Sequence, residues 1–101
     1  MIARIWKGKT KLEHREVYKA FMQERAVPDY AKTEGFVKLI FLQRDDQQFA
    51  HFELITIWKN LEVIKNFAGA DFEKAKYYPE DKKYLIEFPK KVTHYDVFAE
   101  G

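Results

Sequence analysis

The sequence predicts an α+β fold in which strands and helices follow one another as βαββαβ, and an antiparallel sheet carries both helices on one face. Three observations lead there. Four stretches read as strands and two carry apolar residues at helical spacing, in the order strand, helix, strand, strand, helix, strand. The longest strand, Phe49 to Trp58, is largely apolar on both sides: Phe49, His51, Glu53, Ile55 and Ile57 share one face, and Ala50, Phe52, Leu54, Thr56 and Trp58 the other. With 101 residues, the chain is one domain and too short for a second helical layer. Helices therefore cover one face of the sheet, and a second copy of the protein is expected on the other.

Taken in order, Ile2 to Lys9 alternates and carries isoleucine and tryptophan, with Arg4 as its odd member. Thr10 and Glu13 form a T-x-x-E capping box that predicts a helix start, and Val17, Tyr18, Phe21 and Met22 form that helix's apolar face. Pro28 predicts a kink or break, followed by a helical turn from Asp29 to Lys32 and a cap at Gly35. Phe36 to Arg44 is a second strand, joined through Asp45, Asp46 and Gln47 to the long one as a hairpin. Asn60 caps a second helix with Leu61, Ile64, Phe67 and Ala68 inward. Gly69 interrupts it, and Asp71 is expected to cap a further short helix through Tyr77. Pro79 to Lys91 reads equally as a short strand or a turn of helix, and Val92 to Ala99 is the last strand. This order is that of a ferredoxin-like sheet.

Composition narrows the function. An apolar fraction of 47% and an aromatic fraction of 17% belong to a folded protein with a core, interface or pocket rich in rings. The net charge is +2 with the two signs interspersed, which lacks the basic stripe of a nucleic-acid binder. The absence of cysteine excludes disulfides, thiolate catalysis and cysteine-held zinc or iron–sulfur clusters. Arg4 and Lys7 interrupt the only apolar run at the N-terminus, and no stretch approaches the roughly 18 apolar residues of a membrane span. A cytoplasmic protein without membrane or nucleic-acid partners is expected. No Gly-rich phosphate loop, hydrolase triad order or H-E-x-x-H motif is present.

The strand end TIWKN, the segment AGADFEKAKYYPED and the closing VTHYDV resemble the antibiotic biosynthesis monooxygenase family, in the same element order over nearly the whole chain. The resemblance implies a subunit whose sheet packs against a partner's to form a dimeric α+β barrel, with a ligand pocket between sheet and helices. Such proteins include cofactor-independent oxygenases of phenolic or quinol-like substrates, haem-degrading monooxygenases and proteins without known activity. Haem-degrading relatives carry a tryptophan at the end of the third strand, matched by Trp58. Their haem-ligating histidine aligns with Tyr77 or Tyr78, and residues 1–10 hold no counterpart of their first-strand asparagine.

The candidate residues follow. Trp58 lies on the helix-facing side, as pocket floor or as a core indole under Phe67. Tyr77 and Tyr78 stand near the expected pocket mouth, where a phenol donates to a substrate oxygen or ligates a metal. His94 titrates near neutrality and suits a base toward a phenol, or else faces the dimer interface. His51, Glu53 and His94 have the types of a metal set, but the first strand is expected between the long strand and the last, setting their backbones about 10 Å apart, and Arg4 is a simpler partner for Glu53. No metal site is expected, and His14 and the turn Glu80 to Lys83 are expected in solvent.

The resulting expectation is a homodimeric monooxygenase that needs no cofactor and oxidises a small electron-rich aromatic such as a hydroquinone. His94 would be the base, Tyr77 or Tyr78 would orient the oxygen, and Trp58, Phe21 and Phe72 would line the pocket. The alternatives are a protein that binds a small ligand or haem without turnover, a haem-degrading relative, and a structural or regulatory dimer.

Overall fold

A computed structural model describes all 101 residues. The strands are β1 (Ile2–Lys11), β2 (Phe36–Asp45), β3 (Phe49–Trp58) and β4 (Thr93–Asp96), and the helices are α1 (Arg15–Ala31) and α2 (Leu61–Ala68). They form one antiparallel sheet in the order β2-β3-β1-β4, the ferredoxin-like arrangement. β1 is central, and its partners set which side chains share a face: Arg4 stands opposite Thr56 on one side and His94 on the other.

The period-two reading of β3 holds. Ala50, Phe52, Leu54, Thr56 and Trp58 are all buried against the helices, because this is the face the chain itself covers. α1 seals it with Tyr18, Met22, Ala26 and Tyr30, a stripe at successive i+4 positions. Val17, expected inward, is 45% exposed and sits one step off that stripe. Asn60 caps α2 as expected, its Oδ1 accepting from the Val63 N–H at 3.0 Å. Gly35 adopts φ 90° at the entry to β2, and a Cβ there would stand 2.4 Å from Val63, so backbone freedom and close packing both call for glycine.

Several local expectations are corrected. Thr10 belongs to β1, and the Thr10–Glu13 capping box does not form, because the ladder with β3 runs on to Lys11 opposite Phe49. α1 starts instead at Arg15 behind a short 3-10 turn, Leu12–His14. His14 is not a freely solvated side chain: its ring lies edge-on to Tyr84. Pro28 does not break α1, since its missing donor removes one bond near the helix end. Tyr30 beyond it is buried and stacked on Phe67 at 4.5 Å, which holds the last turn in place.

A further correction concerns residues 69–92, which join α2 to β4. No helix runs from Asp71 to Tyr77. The segment doubles back on itself as a strap, with the Ala75 N–H donating to the Lys90 carbonyl at 2.9 Å and the Val92 N–H to the Glu73 carbonyl at 2.8 Å. Backbone groups satisfied across the strap are not available for helical bonds along it. Pro79–Lys83 forms a 3-10 turn, and Leu85 then bridges Thr10 at the end of β1. β4 is also shorter than expected, ending at Asp96.

Candidate functional site

The strap closes over the helix-facing side of β1, and a cavity of about 20 Å³ lies beneath it, room for roughly one water. Arg4, Trp6, Tyr18, Tyr77, Tyr78 and Asp81 are among the residues that line it. Strand parity brings Arg4 and Trp6 to this face of the central strand, and the strap supplies Tyr77, Tyr78 and Asp81 from above.

Arg4 is the most unusual group of the site. Only 3% exposed, it enters no ion pair. Its guanidinium donates to the carbonyl of Phe72, to that of Lys74 at 3.1 Å and to Nε2 of His94 at 3.1 Å. An arginine is a donor only, so Nε2 of His94 accepts and its proton resides on Nδ1. Burial lowers the Arg4 pKa, against a smaller upward push from Tyr30. Burial and the Arg4 charge together lower that of His94. The expected Arg4–Glu53 pair does not exist. Glu53 lies on the opposite face of the sheet, with Lys7 at 3.4 Å, because Arg4 and Glu53 have opposite parity.

Asp81 is also 3% exposed, although the sequence placed it in a solvated turn. Its Oδ1 accepts from the Tyr18 hydroxyl at 3.0 Å and its Oδ2 from the Tyr78 N–H at 2.7 Å. Burial raises its carboxyl above the usual range, and the two donors only partly offset that. Asp29 behaves oppositely. Burial pushes it up, but the Tyr78 hydroxyl at 2.7 Å and the ammoniums of Lys32 and Lys76, each at 3.1 Å, bring it down to about 2.

Tyr77 and Tyr78 both line the cavity. Tyr77 accepts from the Trp6 indole N–H at 3.5 Å and donates to the Pro89 carbonyl; Tyr78 donates to Asp29. Burial raises both phenols, most strongly Tyr78, where the Asp29 carboxylate adds to the effect. The other sequence candidates stand further off. His94 meets the cavity through Arg4, with Phe72 edge-on to it at 5.3 Å. Phe21 packs edge-on behind Tyr78 at 6.2 Å.

Trp58 is fully buried among Tyr30, Phe36 and Phe67, its indole N–H donating to Thr56 at 2.8 Å. It is a core indole, and the ring that lines the cavity is Trp6. Sequence reasoning missed Arg4, Trp6 and Asp81 as site residues. The signal for the first two was their shared parity with Thr56 and Trp58 once β1 is placed at the centre; Asp81 carries no comparable local signal.

The histidines and carboxylates do not gather into a metal set. His51 and Glu53 lie on the open face of the sheet and His94 on the helix-covered face, so the three do not converge. A tyrosine ligand binds haem iron as phenolate; burial favours the phenol at both Tyr77 and Tyr78, the Asp29 bond adding to this at Tyr78 and the Trp6 bond opposing it at Tyr77.

Sheet, helices and strap thus define a ferredoxin-like subunit with a small cavity, mostly apolar in its lining, on its helix-covered side. Two solved structures share this fold. One, named as a candidate antibiotic biosynthesis monooxygenase from Nitrosomonas europaea, has a TM-score of 0.69 at 18% identity, covering 98% of this chain and 100% of its own. The other, named in the same way from Bacillus cereus, has a TM-score of 0.67 at 14% identity, covering 99% and 95%. No protein-family model matches the sequence, and no curated protein does. The likeness read from TIWKN, AGADFEKAKYYPED and VTHYDV therefore holds for the fold, over essentially the whole chain.

Proposed function

We propose that this protein is a monooxygenase of small electron-rich aromatics, phenols or hydroquinones, working in the cytoplasm without a bound cofactor. The observation that carries the reading is Arg4, a buried cation with no carboxylate partner on the wall of a cavity that also holds a basic carboxylate. A buried charge is normally paired, and a substrate phenolate supplies the missing anion.

In this reading Asp81, made more basic by burial, takes the hydroxyl proton, and Arg4 stabilises the resulting phenolate. The phenolate reduces dioxygen. One oxygen atom forms a new carbon–oxygen bond in place of a ring C–H and the other leaves as water, so a hydroquinone yields a hydroxyquinone and supplies all the electrons itself. His94, its lone pair engaged by Arg4, positions the guanidinium. Tyr77 and Tyr78 orient the ring as the cavity, which has room for about one water, widens around it; Phe21 and Phe72 support that wall from behind.

The test is oxygen consumption with a panel of hydroquinones in metal-free, flavin-free buffer, with the hydroxyquinone identified by mass. Consumption matched by product supports the reading, and rates equal to buffer across the panel sink it.

The open face of the sheet carries Ile40 and Leu42, each 43% exposed, and Tyr95, 58% exposed, beside Ile5 and Ile55. A second copy packed on this face is the arrangement we propose for the protein in solution, since a patch of this kind marks an association surface. Sedimentation at micromolar concentration is expected to give a dimer, and Ile40→Lys a monomer. A wild-type monomer would overturn the arrangement.

A further inference from the structure

The outer surface of the strap carries a cleft of about 560 Å³, within the size range of small-molecule sites. Lys74, Lys90 and Lys91 line it with the rings of Tyr77 and Phe88, and Asp71 is its only carboxylate. None of the three lysines enters an ion pair, although six other lysines of the chain do. Lys74 and Lys91 are also direct partners in an isolated antiparallel bridge. Like charges directly opposite one another are destabilising, and Arg4 behind them, bonded to the Lys74 carbonyl, adds a further positive charge. The strap therefore concentrates unpaired positive charge at one point of a chain whose charges are otherwise interspersed.

Tyr77 belongs to both this cleft and the inner cavity. Its ring is edge-on to Trp6 at 6.3 Å on the inner side and to Phe88 at 5.2 Å on the outer side. A single aromatic side chain thus stands between an outer cationic cleft and the inner guanidinium.

The geometry points to this cleft as the entrance to the cavity and as a recognition site for the carboxylate of a hydroxyaromatic acid. The lysines hold the carboxylate outside, Phe88 and Tyr77 flank the ring, and the hydroxyl end passes Tyr77 toward Arg4. This rests on the monooxygenase reading and narrows its substrate to aromatics that carry an acidic group.

Calorimetric titration with gentisate, its neutral amide and hydroquinone tests it. Gentisate is expected to bind about 10-fold tighter than the amide at low salt, as a charge-assisted contact should, with the advantage lost in Lys74→Gln/Lys91→Gln and near 1 M salt. Both substituted lysines are exposed, so the variant keeps the fold. Equal affinity for acid and amide in the wild type overturns the cleft assignment, as does a preference that the double variant retains. Oxygen consumption on the same compounds separates the two readings. Turnover without acid preference removes the cleft and leaves the oxygenase; acid preference without turnover on any compound supports the cleft and removes the oxygenase.

Discussion

Arg4→Met is expected to lower turnover of a hydroquinone by about 10²–10³-fold while leaving the protein folded, because it removes the one cation of the cavity wall without a carboxylate partner, Lys76 being paired with Asp29. A preorganised buried charge acts most strongly on the species in which charge develops, so the loss falls on kcat more than on KM. Two opposing effects limit the change in stability. Losing a buried cation without a counter-ion relieves a desolvation cost, while the carbonyls of Phe72 and Lys74 lose a donor. Arg4→Lys is not expected to rescue turnover. A single ammonium cannot span those two carbonyls and His94 as the planar fork does, and a buried lysine neutralises far more readily. Steady-state oxygen consumption with circular dichroism as the control for folding checks this. A methionine variant within about threefold of wild type would reduce Arg4 to a tie for the strap.

The sheet and helices could be read from the sequence because the signals that specify them are local. Period two along β3 fixes which residues meet the helices, and Asn60 satisfies an amide three residues away. The strap could not be read, because the bonds that shape it join residues far apart in sequence: Arg4 with Phe72 and Lys74, Tyr18 with Asp81, and Asp29 with Lys76 and Tyr78. The same cause explains why the lining of the cavity differs from the residues singled out in the sequence. Glu80 to Lys83 has the composition of a solvated turn, and only the position of the Tyr18 hydroxyl shows that Asp81 turns inward. Trp58 and Trp6 share one face of adjacent strands, and α2 closing over Trp58 through Phe67 leaves Trp6 to line the cavity.

That dependence on distant bonds makes Asp81 the position where fold and chemistry can be separated. Asp81→Ala leaves the Tyr18 hydroxyl and the Tyr78 N–H without their acceptor in a buried site, a cost of about 2–4 kcal/mol in urea unfolding. Asp81→Asn keeps the Tyr78 bond through its Oδ1 and donates to the Tyr18 oxygen through its amide, so its cost stays below about 1 kcal/mol. The amide cannot take a proton, and turnover is lost in both variants. The pH dependence follows from the sign of each shift. The Asp81 carboxyl is raised above its ordinary 3.8 in the folded protein, so the folded state holds its proton longer. Its contribution to stability is fully present below 3.8 and is lost as pH rises through the raised value, while turnover, which needs the carboxylate, rises through the same interval. Asp29, lowered to about 2, stabilises above 3.8 and loses that contribution as pH falls through about 2, so the two carboxyls act in separate windows. Urea midpoints should fall in the wild type as pH rises above 3.8 through the raised value, and lose that component in Asp81→Asn. An asparagine variant that keeps the wild-type slope would show that Asp81 does not titrate there, and one that keeps the wild-type rate would move the base elsewhere in the cavity.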